Sequence, residues 1–243
     1  MKKRAPILDE ILDQSRLSKS KNQPLKAIFD LDSTLFDVSH RISIILRAFA
    51  AEPEMMARYP IETKVLALVE PDVNDYGIKR TLERYQFDHP SPEFAKLLLD
   101  YWKKHFFGNE FLKYDQPYPG SLEFVQELVS SGAQVFYLTG RDIPRMLPGT
   151  IDSLKQHGLP LNSDNSNLIL KEVTGADDAQ FKKDFFTKMD KSDGPVWFFE
   201  NEPANIHLVV EHCPHINVLF VETVHSESAP LPGHAVPKIY GFT

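Results

Sequence analysis

Residues 26–34 read KAIFDLDST, a short apolar run that ends in two carboxylates one residue apart. Ala27, Ile28 and Phe29 have the β-branched and aromatic character of a buried strand, and the residues from Asp30 onward have that of a loop leaving it. Four later stretches share this character: QVFYLTG at 134–140, NLILK at 167–171, PVWFFEN at 195–201 and NVLFVET at 217–223. Helical patterns lie between them. One follows Pro119 and closes at Gly132, one runs from Pro144 to about His157 and closes at Gly158, one covers 179–189, and one covers PANIHLVVEHC at 203–213. Strands alternating with helices predict an α/β fold built on a doubly wound parallel sheet.

Two regions fall outside that alternation. Ile7, Leu8, Ile11 and Leu12 share one helical face, so residues 1–25 read as a short amphipathic helix followed by the polar linker SKSKNQP. From about Phe36 to Asp115 the sequence carries helical patterns (SHRISIILRAFAAE, ETKVLALVE, PEFAKLLLDYWKKHFF) and no convincing strand. The expectation is a smaller all-helical cap at 36–115, inserted into an α/β core made of 26–35 and 116–243.

Composition narrows the function classes. Of 243 residues, 42% are hydrophobic and 25% charged, which excludes disorder over most of the chain. Lys and Arg number 27 against 34 Asp and Glu, a formal net charge of -7, which argues against a broad nucleic-acid grip. Cys213 is the single cysteine, so neither an intrachain disulfide nor a cysteine-based zinc cluster can form. The basic opening MKKR is followed by Asp9, Glu10 and Asp13, which interrupt the apolar stretch a signal peptide needs, and no run approaches the roughly 20 apolar residues of a membrane span. These features lead to an expected cytoplasmic location.

Chemistry concentrates just past the strands. In open α/β sheets ligands bind beyond the strand carboxyl ends, where Asp30 and Asp32 fall. A turn after Asp30 is required for both to approach one ligand. One carboxylate can then attack phosphorus, and the other can exchange a proton with the leaving oxygen or with water. Thr139 stands where a second strand would end, with Gly140 permitting close backbone approach and Arg141 able to fork onto an anion; Thr-Gly also commonly ends strands without function. A transferring phosphoryl group needs a fixed cation. Lys171, Lys182 and Lys183 are the candidates, with Lys182 preferred because it opens a helix. Finally, VWFFENEPANI brings Glu200, Asn201, Glu202 and Asn205 to the end of another strand, as magnesium ligands or as caps of the helix that begins near Pro203.

The order of these signals resembles the haloacid dehalogenase-like (HAD) superfamily of hydrolases. Its hhhDxDx[TV] hallmark is matched by AIFDLDST, and the resemblance extends to the Thr in FYLTGR, a downstream Lys and an acidic loop, over roughly residues 26–222. It implies a Rossmann-like core with a helical cap and a Mg2+ cofactor. It makes Asp30 the nucleophile and Asp32 the acid/base; Thr34, Thr139, Gly140, Arg141 and Lys182 would bind substrate, and Asp30, Asp32 and Glu200 the metal. Family members usually carry Asp where this chain has Glu200-Asn201, so Glu200 binds the metal directly, acts through water, or yields to Glu202. The FFENEPANI string resembles acid-phosphatase-like members.

The implied activity is hydrolysis of a small phosphate monoester through an aspartyl-phosphate. A phosphotransferase of the same fold and a phospho-ligand binder without turnover are the alternatives. Dehalogenation is disfavoured, since an alkyl halide leaves without an acid and makes Asp32 superfluous. Three features are set aside. His212, Cys213 and His215 read as packing and surface residues rather than a metal site. Leu98, Tyr101, Trp102, His105 and Phe106 read as helical core. Asp37, His40 and Arg41 are candidates for reaching the pocket to select substrate.

Overall fold

The computed structural model describes residues 4–72, 74–85, 87, 90–164, 166–189 and 194–243. Strand β1 (Lys26–Phe29) lies at the centre of a six-stranded sheet, and its alternation explains why. Ala27 and Phe29 pack into one apolar cluster and Ile28 into another, so successive side chains fill both faces. Strands β4 (Gln134–Asp142), β5 (Leu168–Lys171), β6 (Val196–Glu200), β7 (Asn217–Val221) and β8 (Lys238–Ile239) complete the order β5-β4-β1-β6-β7-β8, every pairing parallel. The chain builds outward from β1 to one side, then returns to build the other. The crevice beyond the carboxyl end of β1 is therefore the switch point at which such sheets bind ligands.

Helices α1 (Pro6–Ser20), α7 (Ser121–Ser131) and α8 (Ile143–Gln156) supply Leu8, Ile11, Phe124, Leu128 and Leu154 to the cluster on one face. Helices α9 (Asp178–Thr187) and α10 (Pro203–His212) supply Phe186, Ile206 and Val209 to the other. The helix after Pro119 begins at Ser121 with Gly120 as its left-handed N-cap and ends on Gly132 at φ 98°, where a side chain would be strained. The N-terminal helix is part of the core: Ser131 Oγ donates to Ser15 Oγ at 2.7 Å and Arg4 is bidentate to Glu127. It consumes the first three residues of the expected linker, running through Ser20.

Between β1 and β4 lie α2 (Ser39–Ala50), α3 (Pro53–Arg58), α4 (Pro60–Leu66), α5 (Gly77–Arg84) and α6 (Pro92–Phe106). They gather on an apolar cluster of their own, in which the Phe49 and Phe94 rings meet edge-on at 5.5 Å. Among the described residues the regular structure of this segment is helical except at Phe36 and Asp37. They form β2 (Phe36–Asp37), antiparallel to β3 (Gln116–Pro117), a two-residue ribbon through which the chain enters and leaves the insertion. Among the described residues no helix is long and apolar enough to cross a membrane.

Phe124 joins the layers: its ring lies 6.4 Å from Phe29, 5.7 Å from Phe199 and 5.7 Å from Phe242, with no solvent exposure. Phe124→Ala is expected to lower unfolding free energy by about 3–5 kcal/mol, read from urea denaturation. A change within error would show that the sheet–α7 packing is not the principal contact.

Candidate active site

The two carboxylates of the opening motif converge because the chain curls around one carbonyl. Asp30 N still donates to Phe199 O at 3.0 Å, as a strand residue would. Leu31 O then accepts from the backbone N–H groups of Thr34, Leu35 and Phe36, and Ser33 adopts φ 63°. Leu31 drops into the core, and Asp30 and Asp32 both line a cavity of about 270 Å³.

Asp30 is 5% exposed and accepts from Lys182 Nζ at 2.6 Å. The same ammonium donates to Glu200 Oε2 at 2.6 Å. Burial would lower the lysine's proton affinity, but the two carboxylates outweigh it and hold Lys182 charged. One ammonium between two acids leaves an excess negative charge. Burial first, and the neighbouring Glu200 second, push the Asp30 carboxyl up to about 8 against the pull of Lys182. Of the three candidate lysines, only Lys182 lines the cavity. Lys171 binds Ala176 O and Asp178, and Lys183 pairs with Asp184.

Asp32 meets two guanidinium groups. Arg141 Nε and Nη2 donate to its two oxygens at 2.9 and 2.8 Å, and Arg41 Nη2 donates at 2.7 Å. Burial alone would raise its proton affinity; the two arginines outweigh that and hold it well below the usual carboxylate range. Asp32 is therefore ionised in this arrangement. Arg141 also donates to Asp115 at 2.7 Å and to Thr150 at 3.4 Å, so the fork assigned to a substrate anion is engaged within the protein.

Other expected residues sit differently from their sequence assignment. Thr139 is not at a strand end: β4 continues to Asp142 with a register shift after Leu138, and Thr139 Oγ1 accepts from Arg141 N at 3.3 Å. Thr34 is fully buried and donates to Asn201 Oδ1 at 3.0 Å, whereas Ser33 faces the cavity. Gly140 lines the cavity, and its lack of a side chain is required: a Cβ there would stand 2.5 Å from Asp178 Oδ2. Glu200 is fully enclosed. Besides Lys182, its Oε2 accepts from Asn205 Nδ2 at 3.0 Å, and its Oε1 accepts from the N–H groups of Asn201 and Glu202 at 2.9 and 3.0 Å.

Both Glu200 oxygens thus have donors in this arrangement, and Glu200 lines the cavity beside Lys182. Glu202 accepts from Ser226. Among the described residues no three His, Cys, Asp or Glu side chains gather as a metal site. What the cavity offers a cation is oxygen: the carboxylates of Asp30, Asp32, Glu200 and Glu202 and the amide of Asn201 line it. That set suits magnesium, which keeps water and phosphate oxygens in its shell, and does not suit an ion that needs imidazole or thiolate.

The opposite wall is apolar. Trp102, Phe106 and Phe107 face the cavity beside Val38, Ile42 and Met146. Helical spacing alone assigned Trp102 and Phe106 to a core; they serve both the insertion's cluster and the cavity. Asp115, which bears on the site through Arg141 and Arg41, had no local signal at all. Asp37 caps the turn before α2 by accepting from Ser39 N at 2.8 Å, and His40 meets the Tyr114 ring edge-on. Cys213 is buried in the apolar core, as expected.

Residues 99–199 match the model of the HAD superfamily, subfamily IIIB (Acid phosphatase). The matched span holds Lys182 and β4 but neither Asp30 nor Glu200. A comparison with curated proteins finds no match. Among solved structures, a proposed phosphatase from Clostridium difficile aligns with a TM-score of 0.51 at 15% identity, over 83% of this chain and 87% of its own. A haloacid dehalogenase-like family hydrolase from Streptococcus pneumoniae aligns at 0.50 and 13%, over 84% and 87%. Protein Tyrosine Kinase A from Mycobacterium tuberculosis aligns at 0.53 and 14%, over 88% and 92%. At these identities the likeness is one of fold. The family match covers residues 99–199, less than half of the chain, and it agrees with that fold.

The Asp30 carboxyl has a folded value of about 8 against 3.8 for the free group. A group whose proton affinity is raised by folding adds stability that is present at acid pH and lost as the pH climbs through its folded value. Without divalent cations, Asp30→Asn removes that loss. The stability of this variant relative to the parent protein should therefore rise from pH 4 to pH 8 in urea titrations. A difference that stays flat across this window would mean that Asp30 is ionised throughout.

Proposed function

We propose that the protein is a magnesium-dependent phosphomonoesterase that works through an aspartyl-phosphate on Asp30, with the helical insertion as its cap. The observation that carries this reading is the buried Asp30–Lys182–Glu200 chain at the floor of a cavity whose rim holds a second, ionised carboxylate at Asp32. Asp30 attacks phosphorus, and the bond to the leaving oxygen breaks. Lys182, desolvated and fixed between two acids, offsets charge on the phosphoryl oxygens. Water then attacks phosphorus, the bond from phosphorus to the Asp30 oxygen breaks to free the carboxylate and inorganic phosphate, and Asp32 takes the proton of the water. Magnesium, held by Asp30 with neutral oxygens of Asp32 and Asn201, would neutralise the excess charge at the floor and screen the phosphate from the attacking carboxylate.

The leaving group is the variable part. With Asp32 ionised at rest, esters whose leaving oxygen departs without full protonation are favoured, and the Trp102–Phe106–Phe107 wall offers a planar apolar group a surface. Both point to an aryl-like phosphate, small enough for a cavity of about 270 Å³. The insertion closes over this volume and keeps bulk water out during transfer.

Purified protein should release p-nitrophenol from p-nitrophenyl phosphate in the presence of magnesium and stop when it is chelated. Asp30→Asn should abolish this release without unfolding the protein; full activity in that variant would remove the nucleophile assignment. Magnesium should also raise the melting temperature of the parent protein and leave that of Asp30→Asn almost unchanged. A Trp102→Ala variant should raise KM for p-nitrophenyl phosphate about fivefold, corresponding to ~1 kcal/mol of lost ring contact, with kcat little altered. An unchanged KM would place the leaving group elsewhere.

A further inference from the structure

Asp32 is one member of a group of four charges. Arg41 comes from α2 of the insertion, Arg141 from the end of β4, and Asp115 from the segment that leads out of the insertion into β3. Arg141 Nη2 divides itself between Asp32 Oδ1 at 2.8 Å and Asp115 Oδ2 at 2.7 Å. Arg41 donates through Nη2 to Asp32 Oδ1 at 2.7 Å, and its Nε lies 3.1 Å from Asp115 Oδ1 as an ion-pair contact outside hydrogen-bonding geometry. The side chains of Arg41 and Asp115 are 0% exposed and that of Arg141 is 1% exposed, whereas that of Asp32 is 29% exposed. Three members are sealed in the protein, and the fourth opens on the cavity.

A buried ion pair is a poor source of stability compared with apolar side chains of equal volume. Four such groups beside a reaction cavity therefore need another explanation. Asp115 is well anchored. Its N–H donates to Leu112 O at 3.2 Å, and its carbonyl meets His157 Nε2 at 3.0 Å. Arg41 is pinned in turn by the Phe106 ring, whose centroid lies 4.1 Å from its Cζ. Thus Asp115 lies behind both guanidinium groups, its carboxyl raised above the usual range by burial against the pull of Arg41 and Arg141, and they present Asp32 from the front.

We propose that Asp115 is a positioning residue for Asp32: by sharing Arg41 and Arg141 with it, Asp115 sets the orientation in which Asp32 meets the leaving oxygen and the attacking water. The inference rests on the phosphomonoesterase reading. Without Asp115 both arginines are free to settle on Asp32 and draw it from the cavity. The steps that move a proton through Asp32 then suffer, while attack by Asp30 on an ester with a good leaving group does not.

The test is kcat/KM, which covers the steps through departure of the leaving group, for Asp115→Asn with p-nitrophenyl phosphate and with an alkyl phosphate such as glycerol 2-phosphate. Asp32, ionised at rest, acts as an acid by taking the proton of the ester monoanion and passing it to the leaving oxygen. General acid catalysis is worth about 100-fold or more, so the alkyl ester should lose tenfold or more, whereas the p-nitrophenyl ester should stay within about threefold. A merely structural role lowers both equally, and that result, or no loss with either ester, overturns the proposal. If Asp115→Asn does not fold, Asp115→Glu, which keeps both arginines and displaces the carboxylate by one methylene, carries the same comparison with the same outcomes. Absence of hydrolysis by the unaltered protein would overturn both this inference and the function it rests on. Ordinary hydrolysis with equal losses in the variant would overturn this inference alone.

Discussion

The ammonium of Lys182, shared between Asp30 and Glu200, is the interaction on which the site depends. It joins the end of β1, the first half of α9 and the end of β6, two neighbouring strands and a helix on one face of the sheet. Removing an ammonium from between two enclosed acids would leave like charges together in a poor solvent for them. Its placement follows from the alternation of β1 and from α9 starting on an Asp177 cap, whose side chain accepts from Gln180 N and fixes where the helix begins. The Asp30 carboxyl, its counter-ion and the second acid are thus set by packing before any ligand arrives.

Most of the fold is legible in the sequence because it follows from short-range rules. The five long core strands announce themselves as apolar runs, and α7 is bracketed by glycines whose φ of 81° and 98° no other residue adopts easily. What escapes is short or non-local. Strands of two residues, such as Phe36–Asp37 and Lys238–Ile239, have no period to read. The continuation of β4 past Thr139 depends on a register shift against β5, which no single strand encodes.

The site divides along the same line. Asp30, Asp32 and Lys182 are legible because each follows an apolar run or opens a helix. The partners of Arg141 are not, since Asp115 and Asp32 lie 26 and 109 residues away in sequence. Glu200 reads as a ligand because it ends a strand, yet its four hydrogen-bond donors come from Lys182, Asn205 and the backbone of the next turn. Trp102 and Phe106 show how helical spacing misleads where a helix has a cluster on one side and a cavity on the other. The fold itself does not choose the reaction, because proteins named as hydrolases and one named as a kinase share it.

The ribbon of Phe36–Asp37 and Gln116–Pro117 gives the insertion neighbouring points of entry and exit. A segment attached in this way can be exchanged as a cassette while the sheet stays as it is, which offers evolution a simple route to new specificity. Here the cassette brings Arg41 with it, and Asp115 sits at its seam. Any replacement must therefore carry its own pair of opposite charges to the same spot. The insertion and the charges that surround Asp32 are inherited together, and lineages that trade one must re-invent the setting of the other.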